Sequence, residues 1–239
     1  MGYNSVAARE QHPPTAGRGD QLAQFLALSP ESGRCVLYLP QFRGDALLDT
    51  GGTQASPLHY PGNTYSHRDA RAAFYVTSLL SQILDPENIS VENARAESAL
   101  PGPGQTAFLF GSRSNVLTQR VAEATELRRL FRFDFGPLWK IEFGGEVFAI
   151  PDPSQLDEAS YRLQNDYGLI ARSFDPATRA AIFILAGLGD CATEGCGYFL
   201  ARNWHALFER FDGRDFALLL AFPAPTEPKR FQLVADAVI

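Results

Sequence analysis

The sequence predicts an α/β protein with one three-layer domain, in which a mixed, mostly parallel sheet carries an inserted antiparallel hairpin. Two observations support this prediction. Short apolar runs alternate with segments of helical spacing, an order typical of parallel strands joined by crossover helices. Two later runs, residues 166–173 and 180–186, are joined too closely for such a crossover, so we expect them to pair antiparallel. We assign this domain to residues 21–239 and interpret the polar residues 1–20 as a flexible N-terminal arm.

The first half of the chain opens with a short helix over residues 22–28 and an apolar strand over residues 35–40. This strand is a compact run of the kind buried in parallel sheets. The connection over residues 41–65 is far longer than usual, which predicts a lid, a binding loop or partial disorder. Its polar side chains and the start of the next helix offer residues that could close over a pocket: Arg43, Asp45, His59, Tyr60 and His67.

The next helix begins at a recognisable start signal. Ser66 and Asp69 form an S-x-x-D pattern, with Asp in place of the commoner Glu or Gln. Apolar residues at three- and four-residue spacing predict that the helix extends to about Leu84. A weak strand candidate over residues 89–91 and a strong strand over residues 106–110 follow.

The middle of the chain contains the hairpin. A helix is predicted over residues 116–130. Gly144 and Gly145 suit the positive φ angles of a tight turn, so the runs on either side predict two hairpin strands. A short helix capped by Ser154 should come next.

The last third repeats the strand and helix alternation. We predict a helix over residues 193–211 with Thr193 as its cap, followed by a strand over residues 216–222. A helical crossover of that length places its two flanking strands in the same direction. The C-terminal tail should add an edge strand.

The composition fits a globular protein and limits its partners. Hydrophobic residues make up 45% of the 239 residues and charged residues 20%, enough to bury a substantial core. The formal net charge of −6 argues against general nucleic-acid binding, because phosphate backbones attract clustered Lys and Arg. No apolar run approaches the roughly 20 residues of a membrane span, and no secretory-signal pattern is present. We therefore expect a cytoplasmic protein that does not contact membranes.

Cysteine and histidine form no metal-ligand pattern. Cys35, Cys191 and Cys196 are too few for a disulfide framework, and reduced thiols are the simplest interpretation. Four residues separate Cys191 from Cys196, whereas two are usual in zinc sites. A nucleophilic Cys191 is a weaker alternative, since no histidine is placed by the sequence to activate it.

Open α/β sheets bind ligands outside the carboxyl ends of their parallel strands, and one such end here is followed by residues 111–115. Glycine permits close approach of a ligand, serine supplies hydroxyl groups and arginine a fixed positive charge. These features predict a site for phosphate at the helix N-terminus, with a plain helix cap as the alternative. The predicted ligand-binding residues of this loop are Gly111, Ser112, Arg113, Ser114 and Asn115.

A second glycine-rich turn lies after the strand over residues 180–186. Its predicted ligand-binding residues are Gly187, Gly189, Thr193 and Gly195. Glycine in the first turns of a helix costs roughly 1 kcal/mol relative to alanine, so its presence indicates close approach of a ligand or of the sheet. Neither turn matches the Walker or dinucleotide fingerprints, which gives no support to ATP hydrolysis or ordinary NAD chemistry.

Three carboxylates near these turns are candidates for acid or base chemistry: Asp166, Asp190 and Glu194. Each also has a structural alternative, because Asp166 suits a turn or cap and Glu194 suits the helix dipole. The sequence therefore names no catalytic residue.

The segments FLFGSRSN, NDYGLIARSF and FILAGLGDCATEG occur in this order between residues 105 and 223. This part of the chain resembles a group of uncharacterised bacterial Rossmann-like domains, in which a Gly-Gly-Pro-x-Ser-Asn-like loop, a D-Y-G-L-I strand and a Gly-rich turn before a helix follow one another. The chain departs from that pattern at Gly111, Ser112 and Arg113. The resemblance implies a Rossmann-like fold with a ligand crevice, and domains of this broad type often sense nucleotide ligands in bacterial signalling or defence.

The sequence thus favours a domain that binds or senses a nucleotide or other phosphorylated small molecule. It identifies no cofactor beyond this nucleotide ligand. The alternatives are a nucleotide hydrolase or glycosyl-bond-cleaving enzyme in the same crevice, and a protein–protein interaction module. A homo-oligomer or a partner protein stays open in each of them.

Overall fold

The computed structural model describes residues 17–28, 33–40, 66–175 and 177–239. Most of the expected N-terminal arm and the whole connection over residues 41–65 lie outside these described residues. The candidate residues of that connection, which are Arg43, Asp45, His59 and Tyr60, lie outside them as well.

Helices and strands alternate along most of the described chain. In chain order they are α1 (Arg18–Phe25), β1 (Arg34–Pro40), α2 (His67–Leu80), β2 (Ile89–Ala94), β3 (Gln105–Phe110), α3 (Val116–Ala124), β4 (Phe131–Phe135), β5 (Leu138–Phe143), β6 (Glu146–Pro151), α4 (Glu158–Arg162), β7 (Asp166–Asp175), β8 (Ala180–Gly187), α5 (Asp190–Phe211), β9 (Phe216–Phe222) and β10 (Gln232–Val238). Short 3-10 turns cover Pro86–Asn88, Glu126–Arg129 and Pro153–Gln155.

Seven strands form the main sheet in the order β10-β9-β7-β8-β3-β1-β2. The neighbours β2, β1, β3 and β8 are parallel. β7 runs antiparallel to both β8 and β9, so β8 and β9 run in the same direction. β10 pairs antiparallel with β9 at one edge. The predicted mixed α/β class, the antiparallel pairing of β7 with β8 and the C-terminal edge strand are therefore confirmed.

The inner strands of the main sheet, such as β3, β8 and β9, are apolar on both faces because both faces are covered. α1, α2 and α5 pack on one face over a cluster that includes Phe108, Phe183 and Leu218. α3 and a separate antiparallel sheet, β4-β5-β6, cover the other face, over a second cluster that includes Ile141 and Ile184. Near-continuous apolar runs such as β9 are what a sheet with two covered faces requires.

The predicted hairpin is present, but it belongs to a larger unit. Gly144 and Gly145 take φ angles of 59° and 89° between β5 and β6, as the tight turn requires. β4 adds a third strand to this pair, and the sequence prediction missed it.

Several predicted helix boundaries were wrong. The helix expected over residues 116–130 ends at Ala124, since Thr125 adopts extended backbone and its hydroxyl caps the 3-10 turn that follows. Asp157, not Ser154, caps α4. α2 has the predicted Ser66 cap and ends at Leu80 rather than near Leu84.

α5 begins earlier than predicted. Its first residue is Asp190 and its N-cap position is Gly189, so Thr193 lies inside the first turn rather than at the cap. No described helix is long and apolar enough to cross a membrane.

Candidate functional site

A cavity of about 650 Å³ lies at the carboxyl ends of β3 and β8. The chain passes from β1 to β2 at the sheet edge and returns to β3 on the other side of β1, so the strand order reverses beside this cavity. The lining residues come from both predicted loops, from the starts of α2 and α5, from β5, and from α4 and the segment that leads into it. They include Ser66, Asp69, Gly111, Ser112, Arg113, Ser114, Trp139, Leu156, Glu158, Tyr161, Gly187, Gly189, Asp190 and Thr193.

Hydrogen bonds hold the two predicted loops against each other. The buried Ser112 hydroxyl donates to the Gly187 carbonyl at 2.6 Å. The Gly187 N–H donates in turn to the Thr193 hydroxyl at 2.9 Å. Both hydroxyl groups therefore fix the shape of the cavity wall.

Asn115 lies beneath the loop and does not line the cavity. Its Oδ1 accepts hydrogen bonds from the Leu117 and Thr118 N–H groups at the start of α3. Its Nδ2 donates to the carbonyls of Tyr38 and Phe110. The helix-cap interpretation of Asn115 accounts for the Oδ1 contacts, and the Nδ2 contacts tie this cap to β1 and β3.

Arg113 is exposed at the rim of the cavity. Its guanidinium carbon lies 5.0 Å from the centre of the Trp139 ring, which β5 presents from the small sheet. Such stacking fixes a cation over an aromatic face. Within the described ranges no carboxylate pairs with Arg113, so its charge is available to an anion.

The buried carboxylate of Asp166 binds the N-terminus of α5. Asp166 is fully buried, and its carboxylate accepts hydrogen bonds from the N–H groups of Gly189 and Ala192, each at 2.9 Å. The Tyr161 hydroxyl donates to it at 2.5 Å. Burial raises the pKa of Asp166 to about 6, although these hydrogen bonds oppose the shift. These two helix N–H groups are thus already bonded to the protein's own carboxylate, and Asp166 does not line the cavity.

Glu194 also serves the structure. Its buried carboxylate pairs with Arg68 and Arg71 of α2, each at 2.8 Å, and so ties α2 to α5. Gly195 packs against β9, where an added Cβ would lie 2.0 Å from a Phe222 ring carbon. Neither residue lines the cavity, and the glycine meets a packing need.

Asp190 is the one sequence-predicted carboxylate that lines the cavity. It is exposed at the start of α5. Partial desolvation and the nearby Glu194 charge raise the pKa of its carboxyl, while the Arg68 charge lowers it.

Asp69 is a cavity residue that the sequence reasoning assigned to helix capping alone. The Ser66 hydroxyl does accept a hydrogen bond from the Asp69 N–H, at 3.4 Å. The carboxyl group of Asp69 faces the cavity instead, and the residue is only 4% exposed. Burial, together with the Asp190 charge, raises the pKa of Asp69 to about 7.

No described residue donates a hydrogen bond to the Asp69 carboxylate. Its Oδ1 lies beside the β3 loop, 3.8 Å from where a Cβ on Gly111 would be. The signal that could have found it is its position three residues into a helix that follows a parallel strand. Trp139 and Tyr161 carried no such signal, because their places depend on the small sheet and on α4.

Thiol and metal chemistry have little to support them in this part of the chain. Burial raises the pKa of Cys191 to about 12, which disfavours the thiolate. Among the residues that the structure describes, no cluster of three or more His, Cys, Asp or Glu side chains could hold a metal ion.

The fold and the cavity define an α/β protein with a crevice at the carboxyl ends of its parallel strands. Comparisons of the chain with protein-family models, with curated proteins and with solved structures find no match.

Proposed function

We propose that this protein binds a nucleotide or another phosphorylated small molecule in the cavity between the β3 and β8 loops. The observation that carries the proposal is the meeting of two Gly-bearing strand-to-helix turns, 75 residues apart, in one cavity. A volume of about 650 Å³ falls within the roughly 300–1,000 Å³ of small-molecule sites.

The lining groups match three parts of such a ligand. Arg113, which pairs with no carboxylate of the described residues, offers its guanidinium to a phosphate group. Trp139 lines the cavity and offers its indole ring to a base. Asp69 and Asp190 offer carboxylates to the hydroxyl groups of a sugar. A sensing role in bacterial signalling or defence enters this proposal only through the sequence resemblance of residues 105–223.

The experiment is thermal unfolding of the purified protein against a panel of nucleoside mono-, di- and triphosphates, dinucleotides and cyclic nucleotides. A ligand of the native state should raise Tm progressively, because binding at one hundred times Kd stabilises by about 2.7 kcal/mol. Arg113→Ala should weaken binding about tenfold or more through loss of a charge-assisted hydrogen bond.

Arg132→Ala is the matched control, since Arg132 is an exposed arginine of the small sheet that does not line the cavity. It should leave the affinity unchanged. The proposal fails if no member of the panel shifts Tm, or if Arg113→Ala binds as tightly as the wild-type protein.

A second candidate function is hydrolysis of the bound ligand. It is favoured by two carboxyl groups on one cavity, Asp69 and Asp190, whose pKa values are both raised. A group that titrates near pH 7 suits general acid or base catalysis. We do not propose Asp166 or Glu194 as the acid or base, because both carboxylates are bonded to structural partners. Chromatography of each nucleotide after long incubation separates the two functions, since only an enzyme alters its ligand.

A further inference from the structure

Asp69 is the buried acceptor of the cavity. It is 96% buried, lines the cavity wall and accepts no hydrogen bond from the described residues. Buried carboxylates in proteins are normally paired or hydrogen-bonded, because desolvation without compensation is costly. A carboxylate left open towards a cavity therefore indicates that a ligand supplies the donor.

The surroundings of Asp69 restrict the donor. Asp190 on α5 contributes a second negative charge to the same cavity, and Glu158 and Tyr161 reach it from α4. The one cationic group among the described lining residues is Arg113, in the β3 loop. The cavity thus has an acceptor end at Asp69 and Asp190 and a cationic, aromatic end at Arg113 and Trp139.

We propose that Asp69 is a specificity-determining residue, which accepts a hydrogen bond from a sugar hydroxyl of the bound nucleotide. This inference rests on the proposed function, because it places the ribose at the acceptor end and the phosphate near Arg113. A hydroxyl donates to a carboxylate without introducing charge, and a ribose offers two adjacent hydroxyl groups. A ligand that lacks them leaves Asp69 desolvated and unpaired, which is how binding sites reject such analogues.

The test compares ribose with deoxyribose forms of one nucleotide. The probe is the ribonucleoside 5′-monophosphate or 5′-diphosphate of the panel that gives the largest Tm shift, together with its 2′-deoxy, 3′-deoxy and 2′,3′-dideoxy forms. Quenching of Trp139 fluorescence reports binding, measured in a Trp204→Phe background because Trp204 is the second tryptophan and lies in the core.

The wild-type protein should bind the ribose form about tenfold or more tightly than the dideoxy form. In Asp69→Asn the ratio of ribose-form to dideoxy-form affinity should fall towards one. Arg113→Ala should still weaken nucleotide binding. Asp134→Asn, which removes an exposed carboxylate paired with Lys140 on the small sheet, controls for net charge and should keep the wild-type ratio.

The wild-type protein provides a second measurement that needs no variant at Asp69. The ribose-to-dideoxy ratio should rise as the pH increases through about 7, because the ionised carboxylate is the stronger acceptor. The inference is overturned if Asp69→Asn keeps the wild-type ratio, or if the ratio is independent of pH. Failure of the proposed function gives a different result, because the wild-type protein then binds none of the nucleotides.

Discussion

Asp69 should lower the stability of the protein at neutral and alkaline pH. Burial raises its pKa from 3.8 to about 7, so between these values the native state holds a proton that the unfolded chain has released. The contribution of Asp69 to stability therefore falls as the pH rises through this window and is constant above it. At about 1.4 kcal/mol per pKa unit, we expect Asp69→Asn to raise the free energy of unfolding at pH 8 by up to about 4 kcal/mol.

Urea unfolding at pH 8 and at pH 4 measures this effect, and the gain should largely vanish at the lower pH. Asp20 is the matched control, because it also occupies the third position of a helix, α1, but is exposed. Asp20→Asn should give no gain at pH 8. A loss of stability at both pH values in Asp69→Asn would contradict the prediction. A stabilising substitution at a cavity residue is the pattern expected where function costs stability.

Single residues show where sequence reasoning about the site reached its limit. Gly111, Ser112, Arg113 and Gly187 were named because strand ends and glycine turns are local patterns, and the structure places them on the cavity. Asp69 was interpreted as a cap because the S-x-x-D pattern has a local explanation that is half correct. Its position beside the β3 loop joins segments that are distant in sequence, which no local pattern shows.

At the scale of elements, close packing of α2 on α5 should depend on Gly197. A Cβ at this position would lie 2.8 Å from the Cα of Ala72 in α2. Gly197→Ala gains about 1 kcal/mol of helix propensity, so a net loss of stability would identify the steric clash. We expect a net loss of about 1–3 kcal/mol from overpacking, measured as a fall in Tm of roughly 2–4 °C per kcal/mol for a chain of this size.

Gly136→Ala is the control for this substitution, since among the described residues only its own chain neighbours lie within 4 Å of the added Cβ. It should change Tm little. A Tm above that of the wild-type protein, by the amount that about 1 kcal/mol of helix propensity gives, would show that α2 can shift without cost.

Elements with one dominant pattern were predicted, and those with competing patterns were not. The apolar runs of β3 and β9 cover six and seven residues, a length that favours a strand over a buried helix. β4 was missed although Phe131, Phe133 and Phe135 alternate with charged residues, which is typical of a strand. Helical spacing just before this segment extended the predicted helix over Thr125, whose own hydroxyl caps the turn that follows.

For the whole molecule, strand directions followed from connection lengths, but strand order did not. The short link between β7 and β8 predicted their antiparallel pairing correctly. β7 lies between β8 and β9, and α5 packs over all three strands. No local pattern encodes this tertiary arrangement. The cavity lies at the carboxyl ends of β3 and β8 because both of its loops leave these parallel strands on the same side of the sheet.

One buried arginine joins distant parts of this architecture, and it provides the last prediction. Arg172 of β7 is 3% exposed and donates to the carbonyls of Phe25, at the end of α1, and of Gly213 and Arg214, after α5. Arg172→Met keeps much of the apolar stem but leaves these carbonyls unpaired, so we expect a loss of about 3–5 kcal/mol in the free energy of unfolding.

Urea unfolding measures this loss, and Arg132→Met, which removes an exposed arginine paired with Glu142, should have little effect. Arg172 lies six residues, or roughly 20 Å, along β7 from the cavity end of the strand at Asp166. Nucleotide affinity per folded molecule should therefore be unchanged in Arg172→Met at temperatures well below its Tm. Equal stability of the variant and the wild-type protein would mean that water replaces the guanidinium at all these carbonyls. Weaker binding by a fully folded variant would mean instead that packing at the α1 end of the sheet shapes the cavity at the other end.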